Sequence, residues 1–146
     1  MKEIAVGSYV HLDTWKPGDK LWSDWIENDP EYSKEIVDLN LDEEILPAGE
    51  YTLVIDYPLS NPYRETFITK FPIQRKEIVE LIVNAYHRIY NEENDTSNIK
   101  PALISGMYNR IHTNGNYGIW GHDLGDLVLH TIYVDENNII TLGISS

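Results

Sequence analysis

The chain has 146 residues, 42% of them apolar and 24% charged, a net charge of −13 and no cysteine. That length suits one domain able to bury a core without cross-links, and the missing cysteines exclude disulfides, thiolate metal sites and a cysteine nucleophile. The negative field repels phosphate backbones, which argues against nucleic-acid binding and favours encounter with a basic partner. Residues 1–47 carry 12 of the 24 acids but only 4 of the 11 bases, so the acidity is concentrated there. A simpler function for such acidity is solubility. No run approaches the ~18–20 apolar residues of a membrane helix. The start, MKEIAVGSYVHLD, lacks the apolar core of a signal peptide. The expectation is a cytoplasmic protein with no membrane contact, and no motif calls for a cofactor.

Residues 3–12 alternate β-branched and aromatic side chains and predict a first strand, with His11 near its end. Residues 13–47 read as an acidic, Trp-rich flank to a core spanning 48–146. Pro17-Gly18-Asp19 is a turn signal. Trp15, Trp22 and Trp25 crowd around it, and packing inward is the expectation because exposed apolar patches are unusual. Asp29, Pro30 and Glu31 supply a cap, a first-turn proline and an acid for the dipole. A short helix over about 30–39 follows, with Tyr32, Ile36 and Leu39 on one face. LDEEILPAG reads as an acidic connector.

From Glu50 the alternation EYTLVIDY predicts a strand, and RETFITKF predicts its antiparallel partner beyond the turn PLSNP. A helix over about 73–90 has a stripe of Ile78, Leu81, Ile82, Ala85, Tyr86 and Ile89, and places His87 at its edge. Arg75 and Lys76 oppose its dipole, and surface pairing with Glu77 and Glu80 is their simplest role. NEENDTSNIKP reads as a polar loop. YNRIHT and NYGIW flank Asn114-Gly115, which predicts a hairpin with a type I′ turn. GHDLGD reads as a glycine bend. DLVLHTIYV and NIITLGIS predict a closing hairpin, its first strand apolar on both faces and therefore central. The expected fold is a single α+β domain: a mainly antiparallel sheet of about five to seven strands against the 73–90 helix.

Reactive side chains concentrate in residues 108–130, YNRIHTNGNYGIWGHDLGDLVLH. A metal site could draw on His112, His122, Asp123 and Asp126, since imidazole and carboxylate suit zinc, manganese or iron. The His122-Asp123 doublet resembles that of HD-type metal phosphohydrolases. Those enzymes set it among helices with further ligands, whereas here it falls among predicted strands. Metal-free acid–base chemistry would pair His122 with Asp123 or Asp126, with Arg110 stabilising negative charge. No G-x-S-x-G elbow is present. Recognition without chemistry would use the flat faces of Tyr117 and Trp120, the amides of Asn109, Asn114 and Asn116, and the charges of Arg110 and His112. Finally, Trp120 would fill the core, His122 and Asp123 would satisfy backbone groups, and Arg110 would pair with an acid. The leading expectation is an acidic binding module that engages a protein or small polar ligand through the 108–130 loops. The alternative is a small hydrolase-like enzyme using His122 with Asp123 or Asp126, with or without a metal.

Overall fold

Strand β3, Gly49–Ile55, and strand β4, Tyr63–Thr69, pair antiparallel through seven consecutive partners, as the alternation from Glu50 predicts. Tyr51, Leu53 and Ile55 are buried while Thr52 and Val54 are half-exposed, so one face of the pleat meets the core. The computed structural model describes residues 2–16, 41–101 and 110–146. The expected 30–39 helix, the 17–19 turn, Trp22, Trp25, Tyr108 and Asn109 lie outside those residues. Trp15 packs into the core as expected.

Strand β1, Lys2–His11, confirms the first prediction, and pairs antiparallel with a later strand, Val128–Val134. That strand turns at Asp135–Asn138 into its antiparallel neighbour, Ile139–Ser145. The last of these runs parallel to β3 through Thr52–Ile139 and Leu53–Ile140. Two short strands make a separate ladder: β2, Glu44–Leu46, and β5, Ile73–Gln74. With Val128–Val134 as β6 and Ile139–Ser145 as β7, the main sheet has the order β1-β6-β7-β3-β4. The fold is α+β, a mixed but mainly antiparallel sheet packed against one main helix. Among the described residues no helix is long and apolar enough to cross a membrane.

Helix α1, Arg75–Thr96, buries Ile78, Val79, Ile82, Val83, Ala85, Tyr86, Ile89 and Tyr90 in a core shared with Leu53, Ile55, Leu129, Ile132 and Ile140. Each fully buried Leu or Ile contributes about 1.5–3 kcal/mol relative to exposure. Leu81, expected on the stripe, is only half-buried. The stripe is wider than expected, and it does not stop at 90: position 93 lies one turn beyond Ile89, and Glu93 is buried there. The stretch expected to be a polar loop therefore begins as two more turns of helix, because Glu93 finds hydrogen-bond donors in the core.

Four further expectations are corrected. The connector LDEEILPAG contains β2, since Ile45 and Leu46 are buried. Its carbonyls also take up free N–H groups at the start of α1: Arg75 N–H donates to Glu43 O and Lys76 N–H to Leu41 O. The basic pair bonds to this connector rather than to Glu77 and Glu80, through Arg75–Glu43 at 2.6 Å and Lys76–Asp42 at 2.7 Å. Strand β6 is central but not covered on both faces. His130 has no partner across β7, and this bulge shifts the alternation so that Leu129, Ile132 and Val134 are buried while Thr131 and Tyr133 are half-exposed. The chain does fold back across Asn114-Gly115, where Arg110 bridges Gly121 antiparallel and Thr113 N–H donates to Ile119 O, but the expected type I′ turn does not form. Gly115 is not among the positive-φ residues that a type I′ turn requires, and residues 111–118 follow an irregular path around Glu93.

Candidate functional site

The segment from Arg110 to Leu127 is shaped by Glu93, a carboxylate with no exposed surface. One oxygen accepts from the Thr113 hydroxyl at 2.6 Å, Gly115 N–H at 3.1 Å and Ile119 N–H at 3.1 Å. The other accepts from Tyr117 N–H at 2.9 Å and Gly118 N–H at 3.2 Å. Burial by itself would raise the Glu93 pKa. The Thr113 hydroxyl and the N–H groups of Tyr117, Ile119 and Gly115 outweigh it and hold the carboxyl below its usual range. The loop thus takes its shape from a side chain on α1, in place of the strand ladder that its composition suggests.

Gly115 is needed here for space. A Cβ at this position would lie 2.5 Å from Glu93 Oε1, 2.6 Å from Thr96 Oγ1 and 2.7 Å from the Glu93 carbonyl oxygen. On its other side the loop lies against the 57–61 turn. Ser60 and Asn61 N–H groups donate to Tyr117 O, and Trp120 N–H donates to Pro58 O. Residues 113–120 are consequently gripped between the C-terminal end of α1 and the β3–β4 turn.

Arg110 is buried beneath this loop. Its guanidinium donates to Asp123 Oδ1 at 2.7 Å and makes longer contacts with Asn94 and Thr113 at 3.4 Å. It also lies 5.2 Å from the centre of the Tyr90 ring. Thr113 joins Arg110 to Glu93, so one hydrogen-bonded chain runs from Asp123 through Arg110 and Thr113 to the helix. Tyr90 completes it by donating to His122 O at 2.8 Å. Burial pushes the Tyr90 phenol pKa up, against a smaller opposing effect of Arg110.

Beyond Arg110 the backbone turns outward. Gly121, at φ +76, sits in a tight turn in which His122 N–H donates to Trp120 O at 2.9 Å. No heavy atom lies within 4 Å of where its Cβ would be, so glycine is required for conformation rather than room. This turn leaves Trp120 40% exposed. Its ring stands perpendicular to Tyr57 at a centroid distance of 5.4 Å, and the His122 ring lies 5.9 Å from Tyr57. Asp126 closes the short Leu124–Asp126 turn by accepting from Asp123 N–H, and its carboxylate is 3.7 Å from His122 Nδ1. Asp56, next to Tyr57 in sequence, is exposed.

The structure thus brings together Trp120, His122 and Asp126 and adds Tyr57. Arg110 and Asp123 form an ion pair of which only Asp123 reaches solvent. His112 is exposed and stands apart, beside Gly118. Tyr117 is half-buried and donates to Glu92; burial first, then that hydrogen bond, push its phenol pKa up to about 12. Asn114 accepts from Ser97 and Asn98 and ties the loop to the end of α1. Among the described residues no three His, Asp or Glu side chains converge as metal ligands, so His112, His122, Asp123 and Asp126 are not gathered into one set.

Sequence reasoning missed Glu93 and Tyr57. Glu93 was legible in principle, because an acid at a position continuing an apolar stripe needs buried donors. Tyr57 carried no signal, since its role depends on where the 57–61 turn meets Trp120. In comparisons with known proteins, no family model, curated protein or solved structure matches the chain.

Proposed function

We propose that this chain is an acidic binding module whose recognition surface is the cluster of Tyr57, Trp120 and His122, and whose partner is a protein presenting an arginine or lysine. The exposed Trp120, held against Tyr57 by a backbone fixed on both sides, carries this reading. A preorganised aromatic side chain loses little conformational freedom on binding, and tryptophan is the residue most enriched at binding hot spots. Asp123 and Asp126 are exposed at the His122 end of the cluster, with Asp126 3.7 Å from His122 Nδ1, so a cation docking on the aromatic cluster would also find carboxylates. The net charge of −13 would steer such a partner from a distance. A hydrolase using His122 has less support. Asp123 is engaged by Arg110, and the 3.7 Å between His122 and Asp126 is longer than a hydrogen bond.

A random peptide display library selected on the wild-type chain and counter-selected on Trp120→Ala tests the proposal. The recovered peptides should carry Arg or Lys, and Trp120→Ala should weaken their binding by about 2 kcal/mol, roughly thirtyfold. Peptides that bind both proteins equally, or that lack basic residues, would sink it.

A further inference from the structure

The two edges of the main sheet differ in a way that assigns one of them a role. At one edge, the register of β1 against β6 is broken between Ala5 and Val10. Such an irregularity blunts an edge against further pairing. At the other edge β4 is straight, matched to β3 over all seven residues, and contains neither proline nor a bulge. Among the described residues its outer side is bonded to no other strand. An edge of this kind is a template for another strand.

The surroundings of β4 are apolar where most of the chain is acidic. Ile68 is 74% exposed on its outer face, and Phe71 just beyond it is 77% exposed. On the inner side an open groove runs between β4 and α1, lined by Phe67, Thr69, Ile73, Glu77, Ile78 and Leu81. The nearby charges are mixed, with the cations Arg64, Lys70 and Arg88 set against the acids Glu65 and Glu77, so this edge does not carry the excess negative charge of the chain as a whole.

Helix α1 and β4 run in opposite directions. Arg88 bonds Tyr63 and Glu65 at the start of β4, whereas Glu77 lines the groove with Phe67 and Thr69 towards its end. The exposed flank of α1 beside this edge therefore runs from an acid, Glu77, through half-buried Leu81 and exposed Asn84 to a base, Arg88. A two-fold axis at the β4 edge reverses that order in a second copy. Glu77 of each flank then faces the Arg88 end of the other, with Leu81 and Asn84 between them. This is self-complementarity of the kind an isologous interface requires.

We propose that β4 pairs antiparallel with β4 of a second copy of this chain, joining the two five-stranded sheets into one continuous sheet. The register that overlaps all seven residues is centred on Thr66. It places Thr66 opposite Thr66, and Arg64 opposite Ile68 of the second copy. On the inner face Phe67 of each copy then lies opposite Glu65 of the other, whose charge its own Arg88 already engages, and Phe67 and Leu81 supply the apolar part of that face. The surface used is distinct from the Tyr57–Trp120–His122 cluster, so the dimer presents two recognition surfaces.

Sedimentation equilibrium across a concentration series, with Thr66→Lys and Thr66→Cys beside wild type, tests this assignment. Wild type should dimerise reversibly. Thr66 is exposed, so Thr66→Lys should keep the monomer's circular dichroism while setting two like charges across the axis. It should weaken the dimer by up to roughly fivefold. Ile68→Lys, which would oppose Arg64 of the second copy, should weaken the dimer if Thr66→Lys perturbs the fold. In this cysteine-free chain, Thr66→Cys has one possible partner at the axis and should give a disulfide-linked dimer on oxidation. A chain that sediments as a monomer at every concentration overturns the proposal. So does a dimer that resists the lysine variants, or one that Thr66→Cys fails to cross-link.

Discussion

The two ends of helix α1 are both anchored by acid–base or acid–donor contacts, and the anchors are built on different physics. At the N-terminal end, Lys76 bonds Asp42 with side chains 43% and 68% exposed, and buried Arg75 bonds a largely exposed Glu43. At the C-terminal end Glu93 is fully buried and accepts five hydrogen bonds from a single loop. Water competes for every contact in the first anchor except those of Arg75, and for none in the second. An exposed pair adds little because water replaces it, whereas a buried acceptor cannot be removed without stranding its donors. The contrast predicts a steep gradient of mutational effects along one helix.

The largest effect belongs to Glu93. Glu93→Ala would leave four backbone N–H groups without their acceptor and the Thr113 hydroxyl with only its 3.4 Å contact to Ile119 O. Loss of about 3–5 kcal/mol is expected, by analogy with breaking a buried charge's contacts. Urea unfolding at neutral pH measures it, and amide exchange should show loss of protection at Tyr117, Gly118 and Ile119 first. The pH dependence has a defined sign. The folded-state pKa of Glu93 is lowered, so its stabilisation is fully present above the ordinary glutamate value of about 4.3. It is lost as pH falls through the lower folded value. Glu93→Gln should remove that part of the acid transition. A variant with an unchanged acid limb would show that Glu93 is not charged in its nest.

Gly115→Ala comes next and tests the same anchor from the loop side. The added methyl meets the Thr96 hydroxyl, the Glu93 carboxylate that the loop's N–H groups hold, and the Glu93 carbonyl that the helix fixes. Displacement of the loop should cost about 1–3 kcal/mol, the usual range for overpacking. A lowered thermal midpoint, together with weaker protection of Tyr117 N–H, would place the strain in the clasp. A midpoint equal to wild type would mean that the loop yields without loss.

Much of the sheet was legible because its signals are local. The alternation of Tyr51, Leu53 and Ile55, and the spacing from Ile78 to Ile89, each reflect a single periodicity that tertiary structure did not override. The bulge at His130 was not legible, since an inserted residue leaves composition unchanged while reversing which face is buried. The path of the 110–121 loop was not legible for a related reason. Asn114-Gly115 is a strong hairpin signal, but Glu93, more than twenty residues earlier, offers the same N–H groups a charged acceptor. Charge-assisted bonds from backbone N–H groups are stronger than neutral ladder bonds. Trp120 was found by composition, but its exposure depends on the turn at Gly121, and its neighbour Tyr57 arrives from a different hairpin.

Lys76→Ala marks the other end of the gradient. The hydrogen bond to Asp42 raises the Lys76 pKa, yet both partners remain in water. Lys76 N–H still donates to Leu41 O when the side chain is gone, and the buried Arg75–Glu43 contact still holds the connector to the helix. No resolvable change in the urea midpoint is expected, at either low or high salt. If Lys76→Ala instead approached Glu93→Ala in severity, exposure would not be what separates the two anchors. Strand β2, which reaches α1 through the same connector, would then have to be counted as part of the core's cooperative unit.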